Sequence, residues 1–165
     1  MVTFTCVTHA EEATSALARA LGPVLRAGDA ILLSGDLGAG KTAFVKGLAE
    51  GLEVPGPVTS PTFNILLVHQ GRLPLYHVDL YRLDKAEQLE DIDYHGTLEA
   101  DGVTAVEWGD RFLEAAPLDY LSVKVSITGD TRRAFEIVAH GVRGEQLAWA
   151  WWDVCRVIEG VECSR

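Results

Sequence analysis

At 165 residues, with 48% apolar and 23% charged content, the chain is long enough to bury its own core as one domain, and its composition excludes a disordered or fibrous protein. Its 14 Lys and Arg stand against 24 Asp and Glu, a formal charge of −10 that disfavours unaided binding to nucleic acid, because phosphate backbones are held by concentrated cations. Ten of the acidic residues fall between Asp84 and Glu114, where only Lys85 and Arg111 oppose them, which predicts a solvated acidic face or a surface for a basic partner.

Residues 2 to 7 are β-branched and loosely alternating and predict a strand. Thr8 stands three residues before Glu11 at capping-box spacing, and Ala13, Ala16, Leu17, Ala20 and Leu21 share one face of a helix from His9 to about Leu21. Gly22 and Pro23 are expected to end or interrupt that helix. Ala30 to Leu33 is a short apolar strand, and Ala43 to Leu48 reads as helix, with Gly51 as its expected cap.

Between these two elements stands Gly35-Asp36-Leu37-Gly38-Ala39-Gly40-Lys41-Thr42, which fits the phosphate-loop pattern G-x-x-x-x-G-K-[S/T] in its required strand-to-helix context. Glycines at 35, 38 and 40 let backbone amides approach a phosphate chain at the positive end of a helix. Lys41 is then expected to reach the β- and γ-phosphates, and the Thr42 hydroxyl to hold Mg²⁺.

The stretch Pro55 to Pro61 is too rich in proline for regular structure and reads as an ordinary connection or a mobile, switch-like segment. Thr62 to His69 and Leu75 to Leu83 predict two strands joined by a turn at Gln70-Gly71-Arg72. Asp84 with Glu87 is expected to cap a helix to about Ile92, followed by loop and short helix to Asp101. Val103 to Val106 predicts a strand that delivers Glu107 and Trp108 to its C-terminal end, where ligands of open α/β sheets gather. Leu121 to Ile127 and Ala134 to His140 predict a second hairpin, with Arg132 and Arg133 just past its turn, and Glu145 to Ile158 an amphipathic helix with Trp149, Trp151 and Trp152. For these tryptophans core packing is the expected role. One domain spans 1–165, with 141–165 a C-terminal extension expected to be helical.

A phosphate loop needs an acidic group for its metal or for the attacking water, and two strands end in one, at Asp79 and Glu107. Spacing leaves open which of the two ligates and which orients the water. Arg82 beside Asp79 offers a structural ion pair as the competing role. His77, on an alternating strand, reads as a packing residue, while Arg132 or Arg133 can present charge to a phosphate. Cys6, Cys155 and Cys163 show no metal or disulfide spacing and are expected to be reduced thiols. With no signal-peptide pattern and no membrane-length apolar run, the chain is expected to be soluble and cytoplasmic. A small-molecule kinase lacks its Arg-rich lid here, and a guanine-specific switch lacks an N/T-K-x-D motif.

Four motifs together, GDLGAGKT at 35–42, Ser60-Pro61-Thr62-Phe63, His77-Val78-Asp79-Leu80-Tyr81-Arg82 and Val106-Glu107-Trp108, closely resemble the bacterial TsaE (YjeE) family over about residues 8 to 135. The resemblance implies a P-loop NTPase-like α/β fold, a mixed β-sheet flanked by helices with an antiparallel hairpin portion. It implies ATP and Mg²⁺ as cofactors, and slow hydrolysis that serves a TsaB–TsaD complex in threonylcarbamoyladenosine modification of tRNA, the tRNA being met only through that complex. Carried onto this chain, catalysis falls to Lys41, Asp79 and Glu107, and the metal to Thr42 and Glu107. Nucleotide contacts fall to Glu11, Asp36, Leu37, Gly38, Ala39, Gly40, Lys41, Thr42, Trp108 and Arg132, while Ser60 and Thr62 enter the switch-like segment. Asn64 departs from the family's usual Thr, and the last 25 or so residues match nothing in the pattern.

Overall fold

A computed structural model describes residues 2–59, 61 and 64–165; the expected switch positions Ser60 and Thr62, with Phe63, lie outside the described residues. Among the described residues, eight strands form one sheet: β1 (Thr3–Thr8), β2 (Ala30–Ser34), β3 (Leu66–His69), β4 (Leu75–Asp79), β5 (Val103–Glu107), β6 (Tyr120–Ile127), β7 (Arg133–His140) and β8 (Val161–Ser164). Their order is β3-β4-β5-β2-β6-β7-β1-β8. The four central strands β4, β5, β2 and β6 are parallel, and antiparallel pairings extend the sheet on both sides. The parallel strands β2 and β5 are covered on both faces, which is why they read as continuous apolar runs rather than alternating ones.

One face packs on α1 (Glu11–Leu21), α2 (Lys41–Gly51) and α4 (Gly141–Cys155) around Leu17, Phe44, Leu48, Phe135 and Trp151. The other is covered by the 3₁₀ turn Ala86–Ile92 and α3 (Tyr94–Leu98), with Leu80, Leu89, Tyr94 and Phe112 in its core. Helices α1 and α2 meet through glycine. A Cβ at Gly51 would stand 2.4 Å from the Arg19 carbonyl oxygen, and one at Gly47 2.6 Å from that of Ser15. Gly51 is therefore a helical residue that admits a neighbouring backbone, not the expected cap, and Leu52 ends the helix.

Several local expectations change. The capping box at Thr8 does not form, because Thr8 is still in β1, paired with Arg133 and Val161. Its buried hydroxyl meets that of Thr14 at 2.8 Å, and α1 starts after Ala10 with no side-chain cap among the described residues. At the next expected cap, Gln88 rather than Glu87 accepts the Asp84 and Lys85 amides. The strand expected to reach Leu83 leaves the sheet after Asp79, because Leu80 and Leu83 turn into the second core.

The C-terminal extension is not wholly helical: after α4 the chain forms β8 against β1. Trp151 is fully buried and donates its indole N–H to the Leu17 carbonyl at 3.0 Å, and Trp152 packs edge-on to Phe4. Trp149 lies outward beneath the Arg165 guanidinium. The expectation of three reduced cysteines is also overturned, since the β1–β8 pairing sets Cys6 opposite Cys163 and the two are joined as a disulfide. Among the described residues no helix is long and apolar enough to cross a membrane.

Candidate nucleotide site

The loop from Gly35 to Gly40 joins β2 to α2 at the C-terminal end of the parallel strands. Gly35 has φ +136° and its missing Cβ would fall 2.3 Å from the Val125 carbonyl oxygen of β6, so only glycine fits. Gly40 precedes α2 at φ +114°, and among the described residues no side chain caps the helix, which leaves its first amides to an anion. A strut crosses from the β6–β7 hairpin, where Arg133 Nε donates to the Ala39 carbonyl at 3.0 Å. Lys41 folds back over its own loop, donating to the carbonyls of Gly35 at 2.5 Å and Asp36 at 2.9 Å, with its ammonium 4.2 Å from the Trp108 ring centre. Burial lowers its pKa, and the carboxylates of Glu107 and Asp79 act against that shift.

Parallel pairing of β4 with β5 places Asp79 and Glu107 side by side, and Glu107 is in turn the neighbour of Leu33 in β2. Both strand-end carboxylates thus converge on the phosphate loop. Thr42 Oγ1 lies 3.1 and 3.3 Å from the two Glu107 oxygens. Adjacent ligands on an octahedral Mg²⁺ with bonds of about 2.1 Å stand about 3.0 Å apart, so this hydroxyl and carboxylate fit one such ion. Glu107 is 4% exposed and His77 0%. His77 Nε2 donates to the Glu107 carboxylate at Oε2, 2.5 Å away. His77 Nδ1 is buried with no partner among the described residues, so the carboxylate alone anchors this ring through hydrogen bonding.

Asp79 accepts the Tyr81 amide at 3.0 Å. Burial raises its pKa, the Tyr81 bond opposes that, and Glu107 beside it adds to the rise. Arg82 is exposed and contributes the smallest attraction of the groups around Asp79, which weakens the ion-pair alternative. Trp108 takes φ +58°, a backbone region that costs an L-residue about 1–2 kcal/mol. The turn is held by the Gly109 amide on the Leu33 carbonyl, and it lays the indole against Tyr81, ring centres 5.1 Å apart.

Two cavities flank the loop and share Gly38, Gly40 and Ala43. The one of about 250 Å³ is lined by Lys41, Thr42, Asp79, Glu107, Tyr81 and Trp108, with the exposed Leu37 at its rim. The other, about 310 Å³, lies between Glu11 and Thr14 of α1 and Asp130, Thr131 and Arg133 of the hairpin. Of the sequence-derived residues, Glu11, Gly38 and Gly40 thus line one or both cavities, Ala39 is buried in the loop, and Asp36 is exposed on it. Arg132 is exposed and lines neither, and its neighbour Arg133 makes the loop contact. Sequence reading missed His77 and Tyr81 as site residues, and of the pair Arg132 and Arg133 it left open, the resemblance pointed to Arg132 whereas Arg133 makes the loop contact. For His77 a signal existed, since it shares a strand face with Asp79.

The family profile described as TsaE, threonylcarbamoyl adenosine biosynthesis protein, matches residues 8–135. The tRNA threonylcarbamoyladenosine biosynthesis protein TsaE of Streptomyces coelicolor is 46% identical over 143 residues, covering 84% of this chain and 95% of that protein. The protein of the same name from Treponema pallidum is 38% identical over 132 residues, 80% of this chain and 98% of the relative. Among solved structures, Bacillus subtilis YdiB superposes with a TM-score of 0.75 at 33% identity, covering 92% of this chain and 95% of that one, and its fold is P-loop NTPase-like. The chain belongs to the TsaE family of threonylcarbamoyl adenosine biosynthesis proteins.

Proposed function

We propose that this chain is the Mg²⁺-dependent ATPase of tRNA threonylcarbamoyladenosine formation, working on a TsaB–TsaD-like complex. The observation that carries the ATPase reading is the convergence of Thr42, Glu107 and Asp79 on the N-terminal end of α2. The loop amides and Lys41 bind the β- and γ-phosphates, for which Lys41 exchanges the Gly35 and Asp36 carbonyls for phosphate oxygens. Thr42 and Glu107 hold Mg²⁺, which when bound supplies charge to the phosphate oxygens. Asp79 orients a water for attack on the γ-phosphorus and receives its proton as the bond to the β-phosphate oxygen breaks and ADP leaves. The raised pKa of Asp79 suits a proton acceptor. The nucleoside occupies the cavity between α1 and the β6–β7 hairpin.

Nine of the ten acidic side chains between Asp84 and Glu114 are exposed, Glu107 being the buried exception. That face suits a basic protein partner and repels RNA, which accords with reaching tRNA through the complex. The test is calorimetric titration with ATP and Mg²⁺ alongside phosphate release, with and without the TsaB–TsaD complex. Binding and turnover in the wild type, both lost in Lys41→Ala, are expected. Absence of ATP binding, or hydrolysis unchanged by Lys41→Ala, would overturn the reading.

A further inference from the structure

All three cysteines lie outside residues 8–135, the part matched by the family profile, yet the fold gathers them at one place far along the sheet from the phosphate loop. Cys6 on β1 and Cys163 on β8 are direct partners in an antiparallel pair, and Cys155 is the last residue of α4. Cys155 Sγ stands 3.9 Å from Cys6 Sγ and 3.7 Å from Cys163 Sγ. Cys6 and Cys155 are fully buried, and Cys163 is half-buried on the edge strand.

A covalent staple between the two ends of the chain needs two cysteines, and a third sulfur in contact with both is surplus to it. Three sulfurs at such spacing have another use. Thiolates on one zinc ion, with bonds of about 2.3 Å at tetrahedral angles, stand about 3.8 Å apart. The two edges of the triangle that Cys155 makes already have this length. The third edge is the Cys6–Cys163 disulfide, a bond that dithiol reduction breaks. The three ligand atoms lie within 4.8 Å of one another, and among the described residues no His, Asp or Glu joins them. An ion here therefore takes three protein ligands and leaves its fourth position to water or a small thiol.

We propose that Cys6, Cys155 and Cys163 form, in the reduced protein, a three-thiolate site for a thiophilic d¹⁰ cation, with Zn²⁺ as the resident ion. Soft sulfur ligands suit Zn²⁺ and Cu⁺ and reject Mg²⁺, so the site does not compete for the cation of the phosphate loop. A dithiol gives two electrons and two protons to the Cys6–Cys163 disulfide and becomes a disulfide itself, and the ion then displaces the thiol protons. A disulfide oxidant reverses this, joining Cys6 to Cys163 and leaving Cys155 as a lone ligand that cannot retain the ion. Both states tie the last strand to the first, one through a bond and the other through a metal.

The test uses the full chain, reduced with a phosphine under anaerobic conditions, freed of metal, and titrated with Zn²⁺, Co²⁺ and Cu⁺ in separate arms. One ion per chain is expected, with a thiolate-to-cobalt charge-transfer band, a rise in Tm on adding Zn²⁺, and affinity more than about tenfold weaker in Cys155→Ser. Cys155→Ser keeps the Cys6–Cys163 pair, so its folding is checked independently by that disulfide and by its Tm. Loss of Zn²⁺ binding after treatment with oxidised glutathione is also expected. Zn²⁺ bound equally by reduced wild type and Cys155→Ser would overturn the proposal, as would a Co²⁺ adduct without the thiolate band. Tight Cu⁺ with no Zn²⁺ would overturn zinc as the resident ion.

Discussion

Replacing His77 with Leu removes the group that holds Glu107 in place, and the structure sets the size of the effect. His77 is fully buried, its bond to Glu107 Oε2 is 2.5 Å long, and Glu107 has only 4% exposure with which to recover a water partner. A hydrogen bond to a charged group contributes about 1.5–3 kcal/mol, so denaturant unfolding should show a loss of that order. The functional effect comes through the carboxylate, whose aim at Thr42 Oγ1 depends on the ring behind it. Removing an outer partner of a metal ligand lowers metal affinity or activity by about 10–100-fold. Phosphate release and Mn²⁺ affinity should therefore fall together in His77→Leu while the affinity for metal-free ATP holds. His77→Gln, whose amide can donate to the same oxygen, should recover part of the rate. A His77→Leu protein that is folded and hydrolyses ATP at the wild-type rate would refute the reasoning.

Other outcomes follow from the same geometry. Arg133→Ala removes the strut to the Ala39 carbonyl and should weaken ATP binding about tenfold, while Arg132→Ala should leave calorimetric affinity unchanged. Gly51→Val forces a side chain against the Arg19 carbonyl and should cost about 1–3 kcal/mol, read as a Tm lowered by several degrees. Burial raises the Asp79 pKa in the fold, so its contribution to stability is fully present below the ordinary carboxylate value and is lost as pH rises through the folded value. The Tm of ligand-free wild type should accordingly drop relative to Asp79→Asn across that acidic window, and the difference should stay level above it.

The placement of the Gly35–Thr42 loop and of both carboxylates was legible in the sequence because each rests on local pattern: a glycine string between strand and helix, and acids at the ends of apolar strands. What pattern could not supply was pairing across the sheet. His77 looked like packing because its strand alternates, and only the β4–β5 register brings it under Glu107. Arg133 and Arg132 are adjacent in sequence, and the β7 pairing decides which one turns back to the loop. The cysteines were misread for the same reason. Their spacing of 149 and 8 residues carries no motif, and they meet only because β8, four residues with polar alternation, closes on β1. Gly51 was read as a cap because glycine often ends helices, whereas here the neighbouring α1 backbone demands it.

The proposed turnover of ATP at the Gly35–Thr42 loop requires Glu107 as the carboxylate of a metal site. It is tested most directly by phosphate release at saturating ATP and Mg²⁺ from wild type and Glu107→Gln, with nucleotide affinity measured on the same samples. Affinity retained within a few-fold and hydrolysis lowered by about 100-fold or more are expected. Hydrolysis at the wild-type rate in Glu107→Gln would contradict it.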